Sequence, residues 1–172
     1  TLYSNSPEQK NIMKIEYKEI DKKSGLVRIT TADERWYKIG ENFLPSVTWI
    51  AGHYPKGIRF YKWLADKGWD EAEAIKSAAG DKGSKVHKAC EDILLGKEVR
   101  IDSKYRNNTT EQDEELTTQE YECVMAFVGW LTHTKPEILK TEYVVVNEKF
   151  LYAGKVDMKI KINGEEYIVD LK

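Results

Sequence analysis

The sequence predicts an α+β fold, in which strands at the start of the chain are followed by helices and then by further strands. Two observations support this prediction. Alternation of apolar and polar residues, which is typical of half-buried strands, occurs near both ends of the 172-residue chain. Between residues 46 and 136 the apolar residues instead recur at helical spacing, flanked by residues that cap helices. A chain of 172 residues is long enough for one domain, and no segment repeats another.

The N-terminal part is predicted to be an antiparallel meander. Its three short strands are expected at residues 11–20, 26–30 and 35–39. The sequence DKKSG forms the first turn, and residues 1–40 as a whole are assigned to the same domain as the rest of the chain. Pro45 then ends the extended structure, and Ser46 is placed to cap the helix that follows.

Three helices are predicted in the centre of the chain. The first covers residues 59–67 and ends at Gly68, and a short second helix covers residues 70–79. The third begins at a cap formed by Asp81 or Ser84. Its apolar residues lie on one stripe, which consists of Val86, Ala89, Cys90, Ile93 and Leu94.

A polar segment separates these helices from the next one. Residues 100–116 are predicted to be a mobile loop because they contain few apolar residues. Thr117 and Glu120 then form a capping box, T-x-x-E, which predicts a helix that extends to Pro136. Residues 141–146 are predicted to form a strand.

Composition indicates a folded globular protein rather than a disordered or fibrous one, since 41% of the residues are hydrophobic and 33% are charged. The sequence contains no apolar run long enough to cross a membrane and no secretory signal, so no membrane partner is expected. Cys90 and Cys123 are isolated from each other, which argues against a disulfide framework or a CxxC metal site. These features together predict a cytoplasmic location.

Charge is distributed unevenly along the chain, although the net charge of −2 gives no overall sign of nucleic-acid binding. Residues 51–90 carry eight basic and five acidic residues, whereas residues 111–122 are strongly acidic. A basic patch beside an acidic surface would suit a polyanion that is bound on one side only. Ordinary solvated helix surface explains the same modest bias equally well.

Residues 154–172 are predicted to form a β-hairpin. Its turn is Asn-Gly at 163–164, where both residues tolerate the positive φ of a type I′ turn. A two-residue turn fixes the register, so that the numbers of paired residues sum to 327. The pairs include Met158 with Val169, Ile160 with Tyr167, and Lys161 with Glu166. The first two pairs make an apolar face, and the third makes a cross-strand ion pair.

The same register places the carboxylates of Asp157 and Asp170 directly opposite each other. Like charges at facing positions destabilise a sheet, so a positive group is expected between them. Lys172 lies on the same face two residues after Asp170, and a divalent metal ion would also fit between the carboxylates. The alternative is that the strands separate at this end and that both carboxylates are solvated.

Four short motifs follow one another in order along the chain. They are G-S-K-V-H at 83–87, T-E-Y-V-V-V at 141–146, G-K-V-D at 154–157 and D-L-K at 170–172. With these motifs the sequence resembles the PD-(D/E)XK nuclease superfamily, specifically its RecB-like and phage-exonuclease branch. The segment LPSVTWI at 44–50 adds a P-S-V-T sequence of the kind found in phage members of this branch.

The resemblance implies that residues 41–172 form a restriction-endonuclease-like core, with a central mixed β-sheet flanked by helices. Members of this branch commonly continue into a Q-x-x-x-Y helix and further strands. A strand with a buried face that ends at Lys172 supports the same expectation, namely that the chain is truncated there and lacks the C-terminal part of the core. Cys90 and Cys123 do not match the cysteine cluster of the iron–sulfur members.

The resemblance also implies roles for individual residues. Asp157, Asp170 and Lys172 would be catalytic. The two aspartates, His87 and the backbone carbonyl of Leu171 would hold Mg²⁺ or Mn²⁺, since hard oxygen ligands and an imidazole suit these ions. Lys172 would orient or help to deprotonate the attacking water and would offset the charge that develops on the phosphate.

Further residues near these motifs are given supporting roles. Glu142 would bind a second metal ion or pair with a basic residue. The alternative is that Glu142 is an ordinary exposed carboxylate on a strand. Glu91 lies on the same helix face as His87 and is expected to be solvated or to support the ligands. The candidate DNA-binding residues are Lys82, Lys85 and Lys88.

The activity that the resemblance implies is that of a deoxyribonuclease dependent on magnesium or manganese. It would act as a DNA exonuclease that hydrolyses phosphodiester bonds in phage or bacterial recombination and repair. One alternative is a structure-specific or restriction-type endonuclease on the same core. Another is a catalytically silent nucleic-acid-binding module that retains the core for its architecture. DNA is the expected partner, and a homo-oligomer or a recombination protein is left open as a further one.

Overall fold

The computed structural model describes residues 15–31 and 34–171. These residues form four helices and nine strands, which confirms the predicted α+β class. Lys172 and residues 11–14 of the first predicted strand lie outside the described residues.

The described residues divide into two compact units. The first is drawn from Thr1–Tyr54 together with Val144–Gly154, and the second from Pro55–Tyr143 together with Lys155–Lys172. None of the helices in the described part of the chain is both long enough and apolar enough to cross a membrane.

The first unit contains a four-stranded antiparallel sheet in the order β1-β2-β3-β4. Its strands are β1 (Glu16–Asp21), β2 (Leu26–Thr30), β3 (Arg35–Ile39) and β4 (Asn42–Pro45). The predicted meander is thereby confirmed over the described residues, and β4 is an additional strand. Pro45 is tolerated because it lies at the end of β4, which is an edge strand of this sheet.

The buried core of the first unit lies on one face of this sheet and consists of Leu26, Tyr37, Leu44 and Ala153. Ser46 follows β4 and caps helix α1 (Val47–Gly52), as predicted, because its hydroxyl accepts a hydrogen bond from the Trp49 N–H at 3.1 Å. Ser46 also forms an isolated parallel bridge with Ala153.

Gly154 lies against the start of α1. A Cβ atom at Gly154 would be 2.8 Å from Cγ2 of Val47, closer than two carbon atoms can approach without a shift. Val47 belongs to the P-S-V-T sequence and Gly154 begins the G-K-V-D sequence, so these two residues pack against each other in the first unit. Glycine is required at this position by packing.

The second unit contains three helices and strands from two small sheets. Its helices are α2 (Ile58–Lys67), α3 (Trp69–Leu94) and α4 (Thr118–Thr134). Strands β5 (Lys104–Arg106) and β6 (Asp113–Glu115) form an antiparallel pair. The remaining strands, which form a sheet in the order β7-β8-β9, are β7 (Glu137–Asn147), β8 (Tyr152–Ile162) and β9 (Glu165–Val169). Residues 144–147 of β7 and 152–154 of β8 belong to the first unit.

The core of the second unit packs α3 and α4 against β8. Its fully buried members include Ala89 and Cys90 from α3, Val124 from α4, and Met158 and Ile160 from β8. Ala89 and Cys90 belong to the predicted helical stripe, and Met158 and Ile160 belong to the predicted apolar face of the hairpin. The face of α3 that carries the stripe is therefore buried, and neighbouring positions remain available for polar side chains.

Helix α3 is continuous over 26 residues, so the predicted break between residues 79 and 84 is wrong. Two glycines in this region each lower helix stability by only about 1 kcal/mol, and tertiary contacts compensate for that loss. Asp81 is buried and accepts a hydrogen bond from the Asn108 N–H at 3.0 Å. Neither Asp81 nor Ser84 caps a helix, because both lie within α3.

Residues 100–116 do not form the predicted loop, because they include β5 and β6. These strands are short and highly charged, so they lack the alternation of apolar and polar residues from which strands are predicted. Tyr105 and Leu116 are nevertheless buried and attach the pair to the core. The Asn107 side chain donates to both carboxylate oxygens of Glu114 at 3.0 Å and thereby closes the turn.

The capping box at the start of α4 is confirmed. The Thr117 hydroxyl accepts from the Glu120 N–H at 3.3 Å, and the Glu120 carboxylate accepts from the Thr117 N–H at 2.7 Å. Helix α4 ends before Pro136, where Lys135 takes a left-handed conformation with φ of 47°.

The predicted register of the last hairpin is confirmed from Ile162 with Glu165 to Met158 with Val169, and the ladder ends before the predicted pair of Asp157 with Asp170. The turn residues Asn163 and Gly164 have φ angles of 51° and 88°, as a type I′ turn requires. One detail differs: Glu166 lies opposite Lys161 but forms its ion pair with Lys159.

Candidate functional site

His87 lies on α3 and reaches the segment that follows β9. Its Nε2 atom is 2.8 Å from the carbonyl oxygen of Leu171. A carbonyl oxygen only accepts hydrogen bonds, so Nε2 carries the hydrogen and donates a hydrogen bond to the Leu171 carbonyl oxygen. The other ring nitrogen, Nδ1, is 3.8 Å from Oδ2 of Asp157. Both nitrogens of His87 therefore face groups that the sequence predicts to be ligands.

Asp157 holds the same segment from its other side. Its Oδ2 atom accepts a hydrogen bond from the Leu171 N–H at 2.8 Å. The peptide groups on both sides of Leu171 are thus fixed, one by Asp157 and the other by His87. Three segments that are distant in sequence meet at this point because α3 and the β8–β9 hairpin share one core.

Asp170 and His87 line a common pocket of about 510 Å³ between α3, α4 and the end of β9. The register of β8 and β9 ends at the pair Met158–Val169, so Asp170 lies one residue beyond the ladder. In the described part of the chain, no three His, Cys, Asp or Glu side chains lie close enough together to hold a metal ion. The predicted ligands His87, Asp157 and Asp170 therefore do not form such a group in this structure.

The donor types around Leu171 suit Mg²⁺ or Mn²⁺. Asp157 offers a carboxylate, Leu171 a carbonyl oxygen and His87 an imidazole nitrogen, and hard oxygen donors with one nitrogen are typical of these ions. The Asp157 side chain is only 14% exposed, so little water screens its charge. The chemistry of the donor set fits a divalent cation.

The two glutamates predicted near the site are both ion-paired. Glu142 forms a salt bridge with Lys155 of β8, which corresponds to its predicted pairing with a base. Glu142 also has φ of 51°, which is unusual for a non-glycine residue within a strand. Glu91 accepts a hydrogen bond from Lys88 at 2.8 Å, and this contact raises the pKa of Lys88.

The three lysines proposed to bind DNA differ in accessibility. Lys82 is half-buried and lines the same pocket as His87, and its ammonium donates to Gln119 at 3.1 Å. Lys88 is half exposed and is shared between Glu91 and Asp92. Lys85 is buried and forms an ion pair with Glu120 at 3.0 Å, so an external phosphate does not reach its ammonium in this structure.

Sequence reasoning missed the walls of the pocket. Phe127 and Trp130 of α4 stack with ring centroids 5.9 Å apart and an interplanar angle of 22°. They line the pocket together with Cys123, which is exposed, and Cys90, which is buried. Helical spacing of residues 123, 127 and 130 indicates a common face of α4, but it gives no sign that this face borders an opening.

The candidate site thus combines a fixed Leu171 backbone, a carboxylate, an imidazole and a partly apolar pocket. Lys172, the remaining predicted catalytic residue, lies outside the described residues. Comparisons of the chain with protein-family models, with curated proteins and with solved structures found no match.

Proposed function

We propose that this chain carries the core of a metal-dependent DNA exonuclease similar to the PD-(D/E)XK nucleases of the RecB-like and phage-exonuclease branch. The observation that carries the proposal is the convergence of His87 and Asp157 on the two peptide groups around Leu171. The motifs G-S-K-V-H, G-K-V-D and D-L-K come from different parts of the sequence. A nuclease of this kind would need them together, whereas an ordinary helix and hairpin would not.

The metal ion would be held by Asp157, Asp170, His87 and the Leu171 carbonyl oxygen. When bound, Mg²⁺ or Mn²⁺ would polarise the scissile phosphate and lower the pKa of a coordinated water. Asp157 supplies negative charge in a largely buried position, where electrostatic attraction to a cation is strong. His87 and the Leu171 carbonyl oxygen now satisfy each other by a hydrogen bond, so both would exchange that bond for the metal ion.

Lys172 would act on the attacking water and on the phosphate. Its position in D-L-K, two residues after Asp170, would put both side chains on the same face if the segment is extended. The ammonium would stabilise charge that develops in the transition state. Replacement of Lys172 by alanine is therefore expected to leave DNA affinity unchanged and to lower the cleavage rate by about two powers of ten.

DNA would approach the site from the side of the pocket. Lys82 and Lys88 offer accessible positive charge on α3, and we leave Lys85 out of this interface because it is buried. The half-buried ring of Trp130, which stacks on the buried ring of Phe127, offers a surface on which an unpaired base could stack. The proposed core thus places a phosphate site beside a site for a base, as an enzyme acting on a strand end would need.

The deciding experiment compares linear and circular duplex DNA of the same sequence, with Mg²⁺ or Mn²⁺ added. An exonuclease degrades only the linear form, and an endonuclease degrades both. Asp157→Asn is expected to abolish cleavage and to weaken Mn²⁺ binding in a calorimetric titration. The matched control is Asp102→Asn, since Asp102 is an exposed carboxylate paired with Arg100.

Two results would contradict the proposal. Cleavage by Asp157→Asn at the wild-type rate would show that the assigned site is not the site of reaction. DNA binding without cleavage by a chain that extends past Lys172, with either metal, would favour the silent binding module.

A further inference from the structure

Two arginines lie side by side on the sheet of the first unit. Arg28 is on β2 and Arg35 is on β3. In the register of these strands Arg28 pairs with Tyr37 and Arg35 pairs with Thr30, so both arginines project from the same face of the sheet. This face also carries the buried core, and Tyr37, which is 1% exposed, lies opposite Arg28 and two residues from Arg35 on β3.

The guanidinium groups are only partly satisfied. The Nε atoms of Arg28 and Arg35 are both buried, and neither has a hydrogen-bond partner among the described residues. Buried donors of native proteins nearly always have a partner, so two such atoms on one face require an explanation. Each arginine as a whole is half-buried, which leaves other parts of its side chain open to solvent.

The surrounding charge on this face is positive. Lys18 of β1 lies directly opposite Arg28 and therefore projects from the same side. One carboxylate, that of Glu16, lies on this side of β1 as well, so three basic residues face a single acidic one among the described strands. Burial raises the pKa of Tyr37, while the charges of Arg35 and Arg28 and a hydrogen bond with Arg35 oppose this effect.

We propose that Arg28 and Arg35 form an anion site that binds a phosphate group. Arginine presents a rigid fork of N–H donors that matches phosphate oxygens in pairs, and two forks on neighbouring strands would hold one phosphate between them. A bound phosphate would offset the mutual repulsion of the cations, and a shift of the two side chains toward it would give the buried Nε donors a partner. The phosphate belongs either to a nucleic-acid backbone or to a free ion.

This inference extends the proposed function without depending on cleavage, because the arginines are in the first unit and the candidate nuclease site is in the second. The test measures binding. Wild type and the double variant Arg28→Met/Arg35→Met are compared in two assays. One is the rise in melting temperature caused by inorganic phosphate at constant ionic strength, and the other is the salt dependence of affinity for a short DNA duplex without metal.

The double variant is expected to lose the phosphate-dependent rise in melting temperature. If the natural source is DNA, the slope of log affinity against log salt concentration should fall by about 0.9, the effect of one phosphate contact. When the salt concentration rises from 50 to 200 mM, the loss of DNA affinity should then be about 3.5-fold smaller for the double variant than for the wild type. If phosphate raises the melting temperature of the wild type but not of the double variant, and both have the same DNA slope, the site is assigned to a free phosphate.

The matched control is Lys38→Met, because Lys38 has the same charge and lies on the opposite face of β3. It should keep the phosphate effect and the DNA slope of the wild type. Wild type that shows neither effect, or a double variant that keeps both, would overturn the proposal. If the double variant does not fold, Arg28→Lys/Arg35→Lys keeps the charge but removes the fork. That variant should bind phosphate at least several-fold more weakly, and unchanged binding would also overturn the proposal.

Discussion

The ion pair between Lys85 and Glu120 gives the sharpest test of how the second unit is held together. The two side chains are 5% and 4% exposed, and their charged atoms are 3.0 Å apart. Glu114, at 3.6 Å, contributes a second carboxylate to Lys85. This cluster joins the centre of α3 to the start of α4 and to β6. We therefore examine the substitution Lys85→Met, which keeps most of the apolar stem and removes the charge.

The expected loss follows from what remains after the substitution. Glu120 would be a buried carboxylate without a cation, and breaking a buried pair in this way costs about 3–5 kcal/mol. Glu120 would still accept the Thr117 N–H at 2.7 Å, so part of its solvation would be retained. We therefore expect a loss near the lower limit, about 3 kcal/mol in the free energy of unfolding.

Urea unfolding at pH 7, followed by circular dichroism, measures this loss. The double variant Lys85→Met/Glu120→Gln should recover most of it, because glutamine also completes a capping box and carries no charge. The matched control is Lys97→Met, which removes an exposed partner of Asp92 at 2.9 Å and should cost less than about 1 kcal/mol. A loss of under about 1 kcal/mol for Lys85→Met would refute the view that this pair is a buried one.

Two further predictions concern the same units. Burial by itself raises the pKa of Glu120, but hydrogen bonds from the Thr117 N–H and Lys85 outweigh it and hold the pKa below its ordinary value. The resulting stabilisation is present above the unfolded pKa of about 4.3 and is lost as the pH falls through the folded pKa. Urea titrations from pH 7 to pH 3 should therefore show the wild type losing stability below about pH 4.3 more steeply than Lys85→Met/Glu120→Gln; parallel curves would contradict this. In the first unit, Gly154→Ala should cost about 1–3 kcal/mol because its Cβ would overlap Val47, and a second substitution, Val47→Ala, should relieve most of that cost. Equal losses in the presence and absence of Val47→Ala would mean that the strain lies elsewhere.

The features that the sequence predicted correctly depend on chemistry within a few residues. The turn at Asn163–Gly164 set the hairpin register, because only residues that tolerate positive φ fit a type I′ turn. Ser46 and Thr117 each cap a helix through their own hydroxyl groups. In each case the deciding contact spans three residues or fewer, so the local sequence contained the necessary information.

The features that the sequence did not reveal depend on contacts between distant segments. The glycines in α3 suggested a break, but Asp81 and Lys85 bind residues from 108 to 120 and keep the helix intact. The same contacts bury Lys85, which by its type and position had been expected to bind DNA. For the candidate site, the motifs indicated that His87 and Asp157 belong together, but not that both hold the backbone of Leu171.

The rotation of helix α3 about its own axis is fixed at Lys85, and it determines where His87 points. Lys85 and His87 are two residues apart, so their side chains point about 200° apart around the helix axis. A rotation of about 10° at a radius of about 6 Å would move the His87 ring by about 1 Å, enough to lose its 2.8 Å bond to Leu171. The buried ion pair between Lys85 and Glu120 therefore determines the direction of the His87 imidazole from the opposite side of the helix. A variant that loosens this pair without unfolding the chain would disturb the site from a residue that never touches it.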